Sequence, residues 1–322
     1  MALVVTALFG CVNNENPTPR SKTLYGFFDT EVSFTDYSGG ENDFSKISAL
    51  IESRLDLYHR LFDIYHEYPG LINLCTINKS AGESLAVTRE LFDFLEYCKE
   101  LYTLTGGEMN VALGAVLSLW HDAREIGLYL PDENKLKQAA NHTDINKLFL
   151  DENGYKVQLL DEKMSLDVGA VGKGYAAKMI KDELSEMGVN SFVLNLGGNL
   201  TVIGEKPDGT GWRTGVLNPK GGYFAYFTLK GLSCSTSGDY QRYFTVSGVN
   251  YHHIIDKESL YPASYYTSVS VISEDPALAD ALSTALFCLP IAESKNLAKS
   301  LGVEAVWVEK DGTVTKSSDF FE

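Results

Sequence analysis

The stretch 165–199, SLDVGAVGKGYAAKMIKDELSEMGVNSFVLNLGGN, decides how the rest of the chain is read. A short apolar strand over 165–168 runs into small residues, and a helix follows over 173–187, closed by Gly188. A second apolar strand over 191–196 ends on Gly197-Gly198, a pair that signals close backbone packing. Strands are also expected just before this stretch, at 156–160, and downstream at 213–217, 224–229, 243–247 and 267–273, with a helix over 276–289. The segments 303–309 and 312–316, joined through Lys310-Asp311-Gly312, read as a hairpin. Upstream, helices are expected: 42–66 with Asp43 as cap, 86–104 stopping at Gly106-Gly107, the apolar 109–120, and one or two short helices in 131–148. One loosely alternating strand, 23–34, precedes them and leads to the Ser38-Gly39-Gly40 turn. This pattern predicts an α+β (mixed α/β) fold: a single domain from residue 22 with a large, mostly antiparallel sheet flanked by helices.

The chain has 322 residues, 44% hydrophobic and 22% charged, which excludes disorder and coiled coil. Lys and Arg total 27 against 43 Asp and Glu, a net charge of −16. That sign argues against nucleic acid as a partner, because such affinity comes from cations on phosphates. An anionic ligand would need a metal or a local cluster of donors. The cysteines, at 11, 75, 98, 234 and 288, form no CxxC pair, so neither a zinc site nor a disulfide framework is expected. Cys75, Cys98 and Cys288 read as small buried hydrophobes.

Cys11 differs. Residues 2–10, ALVVTALFG, are an apolar run too short to span a bilayer, and a polar tether with two prolines follows. The sequence Leu8-Phe9-Gly10-Cys11 resembles a bacterial lipobox. Residues 1–21 are therefore expected to be a signal-like segment and tether, with a lipid on Cys11.

Three motifs carry chemistry. In Asp167-Val-Gly-Ala-Val-Gly-Lys173-Gly-Tyr, small residues let the backbone approach a ligand, and a helix N-terminus favours phosphate. It is neither a P-loop nor a dinucleotide fingerprint, since Gly174 follows the lysine and G-x-G-x-x-G fails; tight strand-to-helix packing is the alternative. In 276–288, PALADALSTALFC, Asp280, Ser283 and Thr284 share a helix face as hard oxygen donors suited to Mg²⁺. Capping or internal hydrogen bonding would use the same side chains. Segment 235–256 offers a Ser-Thr-Ser-Gly turn, Arg242, and His252-His253, of which one histidine at most enters a given site from a strand. Such a histidine is either a general base or a closer of a hydrogen-bond network.

Taken together and in order, FFDT (27–30), INKSAG (77–82), GGEMNVALGAVLSLW (106–120), DVGAVGKGYAA (167–177), VLNLGGNL (193–200), STSGDYQRYF (235–244), HHIID (252–256) and ADALSTAL (279–286) resemble the FAD:protein FMN transferases, the ApbE family. The resemblance implies a Mg²⁺-dependent enzyme of the bacterial cell envelope, on the extracytoplasmic face of the membrane. It would split FAD between its phosphates, attach FMN to a Thr or Ser hydroxyl of an acceptor flavoprotein and release AMP. It places metal ligands on the carbonyl of Ala170 and on Asp280, Ser283 and Thr284. It places FAD contacts on Phe28, Tyr65, Asn110, Val111, Ala112, Asp167, Lys173 and Ile255, and makes His253 the general base.

The chain departs from the family pattern in places. Phe28 stands where many members have Met, and Ala112 where many have Thr. The usual Asp-Pro-x-Thr-Gly-x-Pro is here Asp256-Lys257-Glu258-Ser259-Leu260-Tyr261-Pro262, without the first Pro and the Gly. Two rival readings stand beside transfer: an FAD pyrophosphatase giving FMN and AMP, and a flavin-binding lipoprotein without catalysis.

Overall fold

Arg20 opens the first strand, β1 (Arg20–Phe27), so residues 20 and 21 belong to the sheet rather than to a tether. The computed structural model describes residues 18–39 and 43–322; Cys11 and its apolar run lie outside the described residues. No helix among the described residues is long and apolar enough to cross a membrane.

The expected single strand over 23–34 is a hairpin instead, β1 with β2 (Thr30–Asp36). Phe28 and Asp29 form its two-residue turn, both at φ +52 in the left-handed region. Helix α1 (Phe44–Phe62) follows, with the Asp43 carboxylate accepting the Ser45 N–H. It ends four residues earlier than its apolar spacing predicts because Asp63 takes over. The Asp63 carboxylate accepts from the N–H groups of Tyr65 and His66 and from the Tyr68 hydroxyl.

Next come α2 (Leu74–Lys79), β3 (Ser84–Ala86), α3 (Arg89–Leu104), a 3₁₀ turn over Val111–Leu113, α4 (Gly114–Ile126) and α5 (Glu133–Ala140). Strands β4 (Leu148–Asp151) and β5 (Lys156–Leu159) pair with each other and with β3 in a small sheet. The segment 165–168 is extended but is no strand. Asn78 supplies its ladder, donating from Nδ2 to the Leu166 carbonyl at 2.9 Å and accepting the Leu166 N–H at 2.7 Å.

Then follow α6 (Gly172–Glu186), β6 (Ser191–Leu196), β7 (Asn199–Gly204), β8 (Trp212–Leu217), β9 (Tyr223–Leu229) and β10 (Ser233–Gly238). The Ser-Thr-Ser-Gly read as a turn is thus the end of strand β10. The chain closes with β11 (Tyr243–Val246), β12 (Val249–His252), β13 (Tyr266–Ser273), α7 (Pro276–Phe287), α8 (Ile291–Ser300), β14 (Glu304–Glu309) and β15 (Val314–Lys316).

The main sheet has eight strands in the order β1-β2-β6-β7-β10-β13-β14-β15, and every pairing in it is antiparallel. One face is covered by helices. Ile47, Ile51 and Leu55 of α1 and Ala177, Ile180 and Leu184 of α6 pack on Val32, Phe34, Phe192 and Leu194. The almost wholly buried α7 packs on Val269 and Val271 of β13. The β8–β9 hairpin covers the other face, over Val202, Cys234, Ile272 and Val306. Cys75, Cys98, Cys234 and Cys288 are all buried and free.

Candidate active site

The helix-covered side carries a cleft of about 810 Å³. Its wall is assembled from the β1–β2 turn, the end of α1, the 3₁₀–α4 segment, the entry to α6, the β6–β7 turn, the end of β10, the chain after β12 and one face of α7. Phe28, Tyr65, Asn110, Asp167, Ala170, Lys173, His253, Ile255, Asp280 and Thr284 all line it. Ten of the thirteen residues expected at the site therefore share one cavity, from segments spread across the chain.

The floor is the crossing of α6 and α7. A Cβ on Gly174 would sit 2.4 Å from the Asp280 Cβ and 2.6 Å from the Pro276 carbonyl. Only glycine lets the helices approach so closely, which is why Gly174 occupies the place where a P-loop carries Ser or Thr. The approach lets the Asp280 Oδ2 accept the Gly174 N–H at 2.8 Å, while its Oδ1 accepts from the Ser235 hydroxyl at 2.9 Å. Gly174→Ala is expected to overpack this crossing and cost about 1–3 kcal/mol of stability. Thermal unfolding reads it, and an unchanged midpoint would contradict the packing argument.

One turn along α7, the Thr284 hydroxyl is 3.1 Å from Ser237 Oγ. Ser283 is buried, its hydroxyl 2.8 Å from Ser237 Oγ and bonded at 2.8 Å to the Asp280 carbonyl. Ser283 is spent on internal bonds and does not line the cleft. Val111 and Ala112 do not line it either, being wholly buried in the core. Their part is backbone: the Val111 carbonyl accepts the Asp167 N–H at 2.8 Å, and Ala112 N–H is capped by Asn110 Oδ1 at 2.9 Å.

His252 and His253 point apart. His252 is buried, its Nε2 donating to the Ala263 carbonyl at 2.9 Å and its Nδ1 accepting the Ile254 N–H at 3.2 Å. His253 lines the cleft, with Nδ1 3.2 Å from the Arg242 carbonyl. That acceptor fixes the proton on Nδ1 and leaves the Nε2 lone pair free. The His253 pKa is lowered to about 4, chiefly by burial and with help from the charges of Arg242 and Lys173, against the bond to the Arg242 carbonyl. The ring is therefore a neutral base at physiological pH.

Asp167 caps the turn into α6 by accepting the Gly169 N–H at 2.8 Å. Desolvation holds its carboxyl above the usual range, against that bond and the charges of His121, Arg124 and Arg242. At the mouth, Tyr65 is 54% exposed, and its ring lies 5.0 Å from the ring of His121. Phe28 is held in its left-handed conformation by its N–H donating to His59 Nδ1 at 3.2 Å and by edge contact with the same ring at 5.7 Å.

With this geometry in place, comparison with known proteins is decisive. The model of the ApbE family matches residues 28–307. The chain belongs to the ApbE family. It is 31% identical over 278 residues to a FAD:protein FMN transferase of Klebsiella pneumoniae, covering 81% of this chain and 85% of that one. It is 33% identical over 264 residues to a FAD:protein FMN transferase of Treponema pallidum, covering 76% and 73%. The crystal structure of the ApbE protein of Thermotoga maritima superposes with a TM-score of 0.86 at 27% identity, over 94% of this chain and 98% of that one.

In this ApbE-family chain, several cleft residues stand outside the thirteen expected at the site. Arg124 and Arg242 join Lys173 on the cleft wall, and none of the three enters an ion pair among the described residues. They bring local positive charge into a chain of net charge −16. Lys257, where the family has Pro, pairs with Glu108 at 3.1 Å across the wall. Leu260, where the family has Gly, takes φ +62 and is pinned by the Trp120 indole N–H, 2.8 Å from its carbonyl. Asn199 lines the cleft beside the end of the double-glycine turn. No three His, Cys, Asp or Glu side chains gather into a metal-holding group among the described residues. Of the residues expected to hold a metal, those that line the cleft offer one carboxylate, on Asp280, with the Thr284 hydroxyl and the Ala170 backbone. That set fits Mg²⁺, which takes one or two carboxylates and completes its shell with water and substrate phosphates, and does not fit zinc.

Proposed function

We propose that this protein is a FAD:protein FMN transferase, moving FMN from FAD to a Thr or Ser hydroxyl of an acceptor protein and releasing AMP. The observation that carries it is His253. A neutral imidazole with its Nδ1 proton tied to a carbonyl and Nε2 free lines the same cleft as Lys173 and the Asp280–Thr284 oxygens. The names of the two relatives above 30% identity support the reading.

In the reaction, the acceptor hydroxyl oxygen attacks the FMN phosphorus and its proton passes to His253 Nε2. The bond from that phosphorus to the oxygen bridging toward AMP breaks in line, and AMP departs with the electron pair. Lys173 and Arg242 offset the charge that gathers on the phosphoryl oxygens. Asp280, Thr284 and the Ala170 carbonyl would hold Mg²⁺, which when bound supplies Lewis-acid stabilisation of the pyrophosphate. Incubation with FAD, Mg²⁺ and a candidate acceptor domain, with acceptor mass as the readout, tests the assignment.

The base works only when neutral. Because its pKa lies near 4 rather than 6.5, kcat/KM for transfer should stay level as pH falls through 6.5 and drop only toward about 4. A pH profile with its acid limb near 6.5 would contradict this.

We infer further that the protein is anchored on the extracytoplasmic face of a bacterial membrane by a lipid on Cys11, on the strength of the Leu8–Cys11 sequence. Cys11→Ser should move it from the membrane fraction to the soluble fraction or to an unprocessed precursor. Retention of a mature, unlipidated mutant in the membrane fraction would refute the anchor.

A further inference from the structure

Asn199 is the first residue of β7 and only 5% exposed, yet it lines the cleft together with Asp280. Between the two lies Ser235, 2% exposed, its Oγ 2.7 Å from Asn199 Oδ1 and 2.9 Å from Asp280 Oδ1. One hydroxyl hydrogen cannot serve two acceptors. In the same arrangement the Asn199 Nδ2 is buried without any hydrogen-bond partner. Both faults lie in one amide, and a single change removes the first and puts an oxygen in place of the unpaired N–H.

The two ends of an amide are assigned by the network they join. With oxygen and nitrogen exchanged, Asn199 Nδ2–H donates to Ser235 Oγ, and the Ser235 hydroxyl donates to Asp280 Oδ1. Every contact is then a donor meeting an acceptor, and the atom without a protein partner is a carbonyl oxygen. A buried carbonyl oxygen left unpaired costs about 1–3 kcal/mol unless a ligand satisfies it. One hydroxyl away from the Asp280 carboxylate, in a cleft that Thr284 also lines, that ligand is a hard cation rather than a phosphate oxygen.

We propose that Asn199 presents its amide oxygen as a further ligand to the divalent cation that Asp280 and Thr284 would hold, with Ser235 fixing both side chains. The proposal rests on the metal reading of the cleft. Its sequence mark is the asparagine directly after the Gly197-Gly198 turn, where two positive φ values, +60 and +98, aim the first residue of β7 inward. Gly197 itself is irreplaceable there, since a Cβ would meet the Thr30 side chain at 2.5 Å.

The test is Mn²⁺ binding to the full chain, with free Mn²⁺ read by electron paramagnetic resonance and folding checked by thermal unfolding. Asn199→Leu should raise the Mn²⁺ Kd by about tenfold or more. Asn199→Asp, which keeps an oxygen toward the cleft, should bind Mn²⁺ at least as tightly as the wild type. A wild-type Kd in Asn199→Leu would overturn the proposal. So would an Asn199→Asp protein that binds as poorly as the leucine variant, because the N–H would then be the working group. If the leucine variant fails to fold, the aspartate variant alone decides, by tightening or weakening. Asp280→Ala is the control: unchanged Mn²⁺ affinity there sinks the metal reading itself. Loss in Asp280→Ala without loss in Asn199→Leu sinks only the role given to Asn199.

Discussion

His253→Ala should still bind FAD but transfer FMN slower by about 10²–10⁴-fold, the usual contribution of a positioned base. The other groups that the site motifs bring to the cleft are committed elsewhere. Asp280 already accepts two hydrogen bonds on the helix crossing, and Asp167 is turned to its own backbone at Gly169. Lys173 and Arg242 serve as cations. The neighbouring His252→Ala makes the contrast. Its ring is buried against Phe287 at 5.6 Å and holds the Ala263 carbonyl and the Ile254 N–H. Losing it leaves two backbone groups unpaired, so stability should fall by about 2 kcal/mol or more while activity per folded molecule is kept. The adjacent histidines are therefore expected to separate cleanly into a catalytic loss and a folding loss. A dead but stable His252→Ala would reverse the assignment.

Asp280→Asn should lose turnover on the order of 10³-fold, the several kcal/mol that a bound cation supplies to a charged transition state. The amide can accept the Gly174 N–H with its oxygen and donate to Ser235 with its nitrogen, so the fold survives the loss of charge. Asp280→Ala cannot do this. It strands the Gly174 N–H and leaves a void at the helix crossing, and its melting temperature should fall as well. Removing a buried carboxylate relieves its desolvation, but the two bonds Asp280 accepts set the sign here. Undiminished Mg²⁺-dependent turnover in the asparagine variant would remove Asp280 from the metal site.

The parts of this architecture that sequence made legible are those where pattern and packing agree. Helices α1, α3, α6 and α7 carry apolar residues at helical spacing, three of them with side-chain caps at Asp43, Thr88 and Asp275, and strands β6 and β9 are largely apolar runs. The β1–β2 hairpin was hidden because Phe28-Asp29 is no turn dipeptide. Its left-handed conformations are imposed by His59 and Phe62, which are distant in sequence. The segment at 165–168 reads as a strand because Leu166 and Val168 alternate with Ser165 and Asp167. Its partner is a side chain, Asn78, which no periodicity reveals. Strand β10 was taken for a turn because Ser, Thr and Gly are turn formers. It is nonetheless central in the sheet, and its hydroxyls at 235 and 237 serve Asp280 and Thr284. Within the site, motif residues such as Lys173 and Asp280 face the cleft, whereas Val111 and Ala112 mark a backbone path and Ser283 an internal bond. Arg242 and Asn199 lay in quoted motifs, but only the fold shows which way their side chains turn.

The most direct test of the central claim follows the acceptor rather than the enzyme. The protein is incubated with FAD, Mg²⁺ and a domain carrying the flavinylation site, and acceptor mass and free FMN are followed in one time course. The account predicts an acceptor heavier by one FMN residue, AMP released in equal amount, and no label when the acceptor Thr or Ser is changed to Ala. Free FMN and AMP appearing together while the acceptor mass stays constant would contradict it and establish hydrolysis instead.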